Sequence, residues 1–73
     1  MSGRYIVMFK NWATPAQIQQ YIDEVNNSGG QVTHEYSIIK AFAGVIPDHF
    51  LQTLRLDSII ESIEQDSLVT TQG

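Results

Sequence analysis

Hydrophobic and polar positions alternate with two different periods along the chain, and the period changes mark the elements. Arg4 to Lys10 reads RYIVMFK, rich in β-branched and aromatic residues, and predicts a strand. Alternation sets Tyr5, Val7 and Phe9 on one face and Ile6 and Met8 on the other. Both sets are apolar, so either can face the interior. After a loop, Thr14-Pro15-Ala16-Gln17 offers an N-cap, a proline at the first helical position and a glutamine placed to close a capping box. Ile18, Tyr21, Ile22 and Val25 then recur at helical spacing, with Gln19, Gln20, Asp23 and Glu24 on the wet side. Asn26-Asn27-Ser28-Gly29-Gly30 ends that helix, a glycine supplying the left-handed turn. The same Asn-Asn-Ser stretch matches a glycosylation sequon, but it reads better as a helix exit.

Gln31 to Ile39 predicts a second strand, with Val32, His34, Tyr36 and Ile38 on one face and Thr33, Glu35, Ser37 and Ile39 on the other. Ala41 to Ile46 predicts a third, its hairpin partner. Pro47 and Asp48 open a short helix with Phe50, Leu51 and Leu54 inward. Ser58 to Glu64 predicts a fourth strand. Ile60 and Ile63 lie three apart there, so both reach the interior only across a bulge. The order β-α-β-β-α-β, with right-handed crossovers, places both helices on one face of a four-stranded antiparallel sheet. The fold class is therefore α+β, a ferredoxin-like plait in a single domain over residues 1–73. One sheet face stays bare and carries either Tyr5, Val7 and Phe9 or Ile6 and Met8. Apolar side chains on an open face call for a partner. Beyond Asp66 the chain runs Ser67-Leu68-Val69-Thr70-Thr71-Gln72-Gly73, with no breaker before the last residue. The β-branched run favours an extended tail suited to strand addition, against the ordinary alternative of a frayed terminus.

Composition narrows the function classes. A chain of 73 residues forms one domain with a modest core. It has no cysteine, so neither a disulfide framework nor a thiolate metal site is available. Four Lys/Arg against eight Asp/Glu give a formal charge of −4. The cations, Arg4, Lys10, Lys40 and Arg55, are scattered, whereas nucleic-acid binders carry a basic stripe, so no nucleic-acid partner is expected. The start shows no basic segment or apolar run of a secretory signal, and no stretch is long enough to span a membrane. A cytoplasmic location with no membrane partner follows as the expectation. The catalytic inventory is thin. His34 and His49 fall on different elements, His34 as a partly buried strand residue and His49 in a solvated first turn. Glu61, Glu64 and Asp66 form an acidic run with too few converging oxygens for a cation site. No cofactor motif is present, Gly29-Gly30 lacking the spacing of a phosphate loop. The chain is read as a protein-binding domain, with no catalytic residues, cofactor or metal.

Taken in order, YIVMFK, the capped helix ending in NNSGGQV, SIIKAFAGVIPD and IIESIEQDSLVTTQ resemble the subtilisin propeptide-like inhibitor family, in its stand-alone fungal type. The resemblance covers about Arg4 to Gln72. It implies the plait already derived and a role as inhibitor of subtilisin-type serine proteases. In that family the open sheet face packs on a pair of surface helices of the protease, and the C-terminal tail lies product-like in the active-site cleft. The resemblance implies that Leu68, Val69, Thr70, Thr71 and Gln72 form the protease-binding tail. Gln72 would take the primary specificity pocket and Val69 the apolar pocket four residues back. Gly73 extends beyond the family's usual end, and either lies on the leaving-group side or takes the primary pocket itself. Glu64 and Asp66 match two acidic residues that meet the N-termini of the protease helices, where free amides and the positive dipole end favour a carboxylate. A solvated edge is the simpler account of the same acids. The partner implied is a subtilisin-family protease, bound by an inhibitor that is monomeric when free. Two rivals share the fold: a propeptide acting as intramolecular chaperone, and a regulatory plait domain that binds a small ligand.

Overall fold

The computed structural model describes residues 2–66, in the order β1 (Ser2–Phe9), α1 (Pro15–Asn27), β2 (Gln31–Tyr36), β3 (Ala41–Pro47), α2 (Asp48–Arg55) and β4 (Ile60–Gln65). The strands pair antiparallel in one sheet ordered β2-β3-β1-β4. This is the α+β plait that the pattern predicts. The local signals act as expected at α1. The Thr14 backbone N–H donates to Gln17 Oε1 at 2.9 Å, and the Gln17 N–H donates back to Thr14 Oγ1 at 3.1 Å, closing the capping box. At the other end Gly29 adopts φ +99°, and the Gly30 N–H reaches Val25 O at 3.0 Å. Asn26 belongs to this exit too, its Oδ1 accepting the Val32 N–H at 3.0 Å.

The helices settle which face of β1 is inside. Val7 and Phe9 are buried, and Tyr5 packs beside them. They meet Ile22 and Val25 of α1, Leu51 and Leu54 of α2, and Phe42 and Ile46 of β3 in one cluster. Phe9 stands at its centre, edge-on to Tyr21 with ring centroids 5.6 Å apart and tilted against Phe42 at 5.8 Å. The Tyr21 hydroxyl donates to Asp57 Oδ2, tying α1 to the loop before β4. That hydrogen bond, then burial and the Asp57 charge, push the Tyr21 pKa up to about 12.

Three expectations change. β2 ends at Tyr36 rather than Ile39, because Ser37–Lys40 are used to turn the chain so that Tyr36 stands opposite Ala41. Ile38 is consequently 96% exposed and Ile39 45%. β2 also carries a bulge. Val32 faces Gly44, yet His34 faces Ala43, so Thr33 is the extra residue. Val32 therefore packs on the core, while His34 and Tyr36 turn to the other face, and His34 is exposed rather than partly buried. Gly44 allows the approach there, since a Cβ on it would sit 2.4 Å from Gln31 O and 2.7 Å from Val32 Cα. β4 begins at Ile60, two residues later than predicted, because Asp57 holds the preceding turn. Its Oδ1 accepts the Ile59 N–H at 3.2 Å and its carbonyl accepts the Ile60 N–H at 3.1 Å. The bulge that Ile60 and Ile63 require is present. Phe9 faces Ile60 and Met8 faces Ser62, leaving Glu61 as the extra residue, and both isoleucines pack on the core.

Candidate functional site

Ile6 and Met8 lie on the face away from both helices, and strand register extends that face across the sheet. One row runs Tyr36, Ala41, Met8, Ser62 through β2, β3, β1 and β4. The next runs His34, Ala43, Ile6, Glu64. A third contains Gln31, Val45 and Arg4, and closes on Asp66, whose N–H donates to Arg4 O at 2.9 Å. Partners in a row share a face. The middle column holds alanines between larger neighbours. Ala41 and Ala43 are 2% and 4% exposed although no helix covers them. The result is a shallow apolar trough, walled by Ile6 and Met8 on one side and by His34 and Tyr36 on the other. The two rings of that second wall support each other, edge-to-face with centroids 4.4 Å apart.

The acids sit at one end of this trough. Glu64 is opposite Ile6, and Asp66 lies two residues on along the same strand direction, so both point to the open face. Glu61, at the bulge, is set apart from them. Arg4 Nε stands 3.7 Å from Asp66 Oδ2, and Arg4 Nη2 donates to Thr33 Oγ1 at 3.5 Å. The structure thus brings Glu64 and Asp66 together beside the apolar face and at the point where the chain leaves β4, an edge strand. Leu68, Val69, Thr70, Thr71 and Gln72, with Gly73, lie outside the described residues. His49 is on α2, away from His34 on β2. Among the described residues no three His, Asp or Glu side chains cluster as a metal site would require, and no helix is long and apolar enough to cross a membrane.

Sequence pattern alone missed three contributors to this surface. Arg4 reads as a strand-end cation until its reach to Asp66 is seen. His34 and Tyr36 join the face only through the Thr33 bulge. The alternation Ala41-Phe42-Ala43 did hold a signal, small and large side chains on opposite faces, but which face was open depended on the helices.

Comparison with known proteins gives the family. Residues 4–72 match the peptidase inhibitor I9 family. Serine proteinase inhibitor IA-2 of Pleurotus ostreatus is 42% identical over 76 residues, covering 97% of this chain and 99% of the relative. Serine proteinase inhibitor IA-1 of the same organism is likewise 42% identical over 76 residues. Protease B inhibitor 2 of Saccharomyces cerevisiae is 31% identical over 74 residues, with the same 97% and 99% coverage. These relatives are named as inhibitors, not enzymes, in agreement with the thin catalytic inventory. With the family match spanning nearly the whole plait, the chain belongs to the peptidase inhibitor I9 family.

Proposed function

We propose that this protein inhibits a subtilisin-type serine protease by docking its open sheet face on the enzyme and laying its C-terminal tail in the active-site cleft as a product that does not leave. The observation that carries the proposal is the coincidence of three features at one place. The apolar trough, the paired carboxylates Glu64 and Asp66, and the origin of the tail all meet at the same end of the sheet. An apolar face rimmed by two acids suits the N-terminal end of a helix pair, where free amide N–H groups donate to the carboxylates and apolar side chains fill the trough. Leu68 to Gln72 would then run along the cleft, Val69 in an apolar pocket and Gln72 at the primary pocket.

Tethering explains why so short a tail can inhibit. A free peptide of this length binds at about micromolar to millimolar strength. Attached to a docked domain, its binding becomes intramolecular, and the overall affinity rises by about 10² to 10⁴. The relatives that support this reading bear inhibitor names and are matched over 99% of their own length. The test is a pair of inhibition assays with chromogenic substrates. Competitive inhibition of subtilisin with little effect on trypsin is expected, since the tail offers no Lys or Arg to a basic-specific pocket. Inhibition of trypsin as strong as that of subtilisin would refute the proposal.

A further inference from the structure

Arg4 is placed to act on the tail end of the site. Its carbonyl accepts the Asp66 N–H at 2.9 Å, its Nε lies 3.7 Å from Asp66 Oδ2, and its Nη2 donates to Thr33 Oγ1 at 3.5 Å. Thr33 belongs to β2 and Asp66 follows β4, the two edge strands. One guanidinium therefore spans the open face from edge to edge. Two local features permit the reach. Alternation from Val32, which packs on the core, sets Thr33 on this face, and its hydroxyl donates to Ala43 O at 3.3 Å, which leaves its lone pairs for Arg4. Arginine supplies a planar fork of donors that reaches two partners through different nitrogens, where lysine has one compact ammonium. The Asp66 side chain keeps 19% of its exposure, and a carboxylate retains acceptor sites beyond a single ion pair.

We infer that Arg4 is a positioning residue of the inhibitory site. It fixes the Asp66 backbone and carboxylate where the chain leaves the sheet, so that the carboxylate is aimed at the protease before contact. The inference rests on the proposed docking of Asp66 at a protease helix N-terminus. Ordering that side chain in the free inhibitor removes part of the entropic cost of binding. Docking then shields the pair from water and strengthens it.

A double-mutant cycle on the full chain tests this, with Arg4→Met, Asp66→Asn, the double variant and Arg4→Lys. Inhibition constants against subtilisin are measured at low and high salt, with melting followed by circular dichroism. Arg4→Met should weaken inhibition about three- to fivefold, the range open to an exposed pair. That loss should shrink at high salt, and the melting temperature should stay unchanged. In the Asp66→Asn background Arg4→Met should have no further effect, and Arg4→Lys should recover part of the loss. Parent-like inhibition by Arg4→Met beside a weakened Asp66→Asn overturns the inference, as does an equal Arg4→Met effect in both backgrounds. If Arg4→Met unfolds the domain, Thr33→Val removes the other arm of the fork at similar volume and the cycle is read with it. Parent-like inhibition by Asp66→Asn alone defeats the docking of the acidic pair, a failure visible without any change at Arg4.

Discussion

Placing a charge in the apolar trough separates docking from folding. Met8 is the residue for this. It stands mid-sheet between Ala41 and Ser62, partly exposed, with no helix over it. In the free protein Met8→Lys keeps an aliphatic stem over Ala41 and leaves the ammonium in water. Such a surface change alters stability by about 0.5 kcal/mol or less. In a docked complex the ammonium would be enclosed by apolar side chains, and the nearest acid of the face, Glu64 one row on along β4, would already be engaged by the protease. Leaving a polar group unpaired costs about 1–3 kcal/mol by protein mutational measures, and more for a charge. At about 2 kcal/mol the inhibition constant rises roughly thirtyfold, since 1.4 kcal/mol is tenfold. The assay is competitive inhibition of subtilisin, with circular dichroism melting of each inhibitor alone. Met8→Leu, which conserves volume, serves as the control and should inhibit like the parent. If Met8→Lys melts like the parent and inhibits within threefold of it, the trough is not the docking surface.

Other consequences follow from the tail and the core. Val69→Asp should abolish most inhibition with melting unchanged, because a charge would enter an apolar pocket unpartnered; parent-like inhibition would mean the tail register is different. Tyr21→Phe should lower stability at neutral pH by about 1 kcal/mol, the worth of one hydrogen bond. The Tyr21 pKa rises from 10.0 to about 12 on folding, so its contribution is whole below pH 10 and is lost as pH rises through 12. The stability difference between parent and Tyr21→Phe should therefore close across that window in urea melts. Ile63→Ala removes a side chain that faces Val7 and packs on the core, and should cost about 2 kcal/mol, the low end for such a truncation because Ile63 is only partly buried. A domain of this size has only about 4–11 kcal/mol in all. Progress curves of protease activity should show Ile63→Ala inhibiting at first and then failing as its unfolded fraction is digested.

What the sequence discloses depends on how local the physics is. The capping box of Thr14 and Gln17 and the glycine exit of α1 are contacts within a few residues, and they stand where the pattern puts them. The β4 bulge was also legible, because Ile60 and Ile63 could not both be inward without it. The open face was not legible from β1, whose two faces are equally apolar; only the packing of Leu51, Leu54, Ile22 and Val25 decides for Val7 and Phe9. The Thr33 bulge has no signal in β2 itself, since neither glycine nor proline marks it. It answers to Gly44 across the hairpin, where the strands come close. Ile38 and Ile39 misled in the opposite direction, their apolar character suggesting strand where the hairpin has to turn. The acidic pair was identified through resemblance, and the geometry adds what resemblance could not, the placing of Glu64 and Asp66 on the trough side with Arg4 between Asp66 and Thr33.

On the proposed mechanism a domain and a tail, each weak alone, inhibit because they are one chain. The most direct measurement compares the full protein with residues 1–66 and a peptide of residues 67–73, each alone and mixed at equal concentration, in one subtilisin inhibition assay. The mixture should inhibit about 10² to 10⁴ times more weakly than the intact chain, the gain that tethering provides. Inhibition by residues 1–66 alone at the strength of the whole chain, or by the mixture, would contradict it.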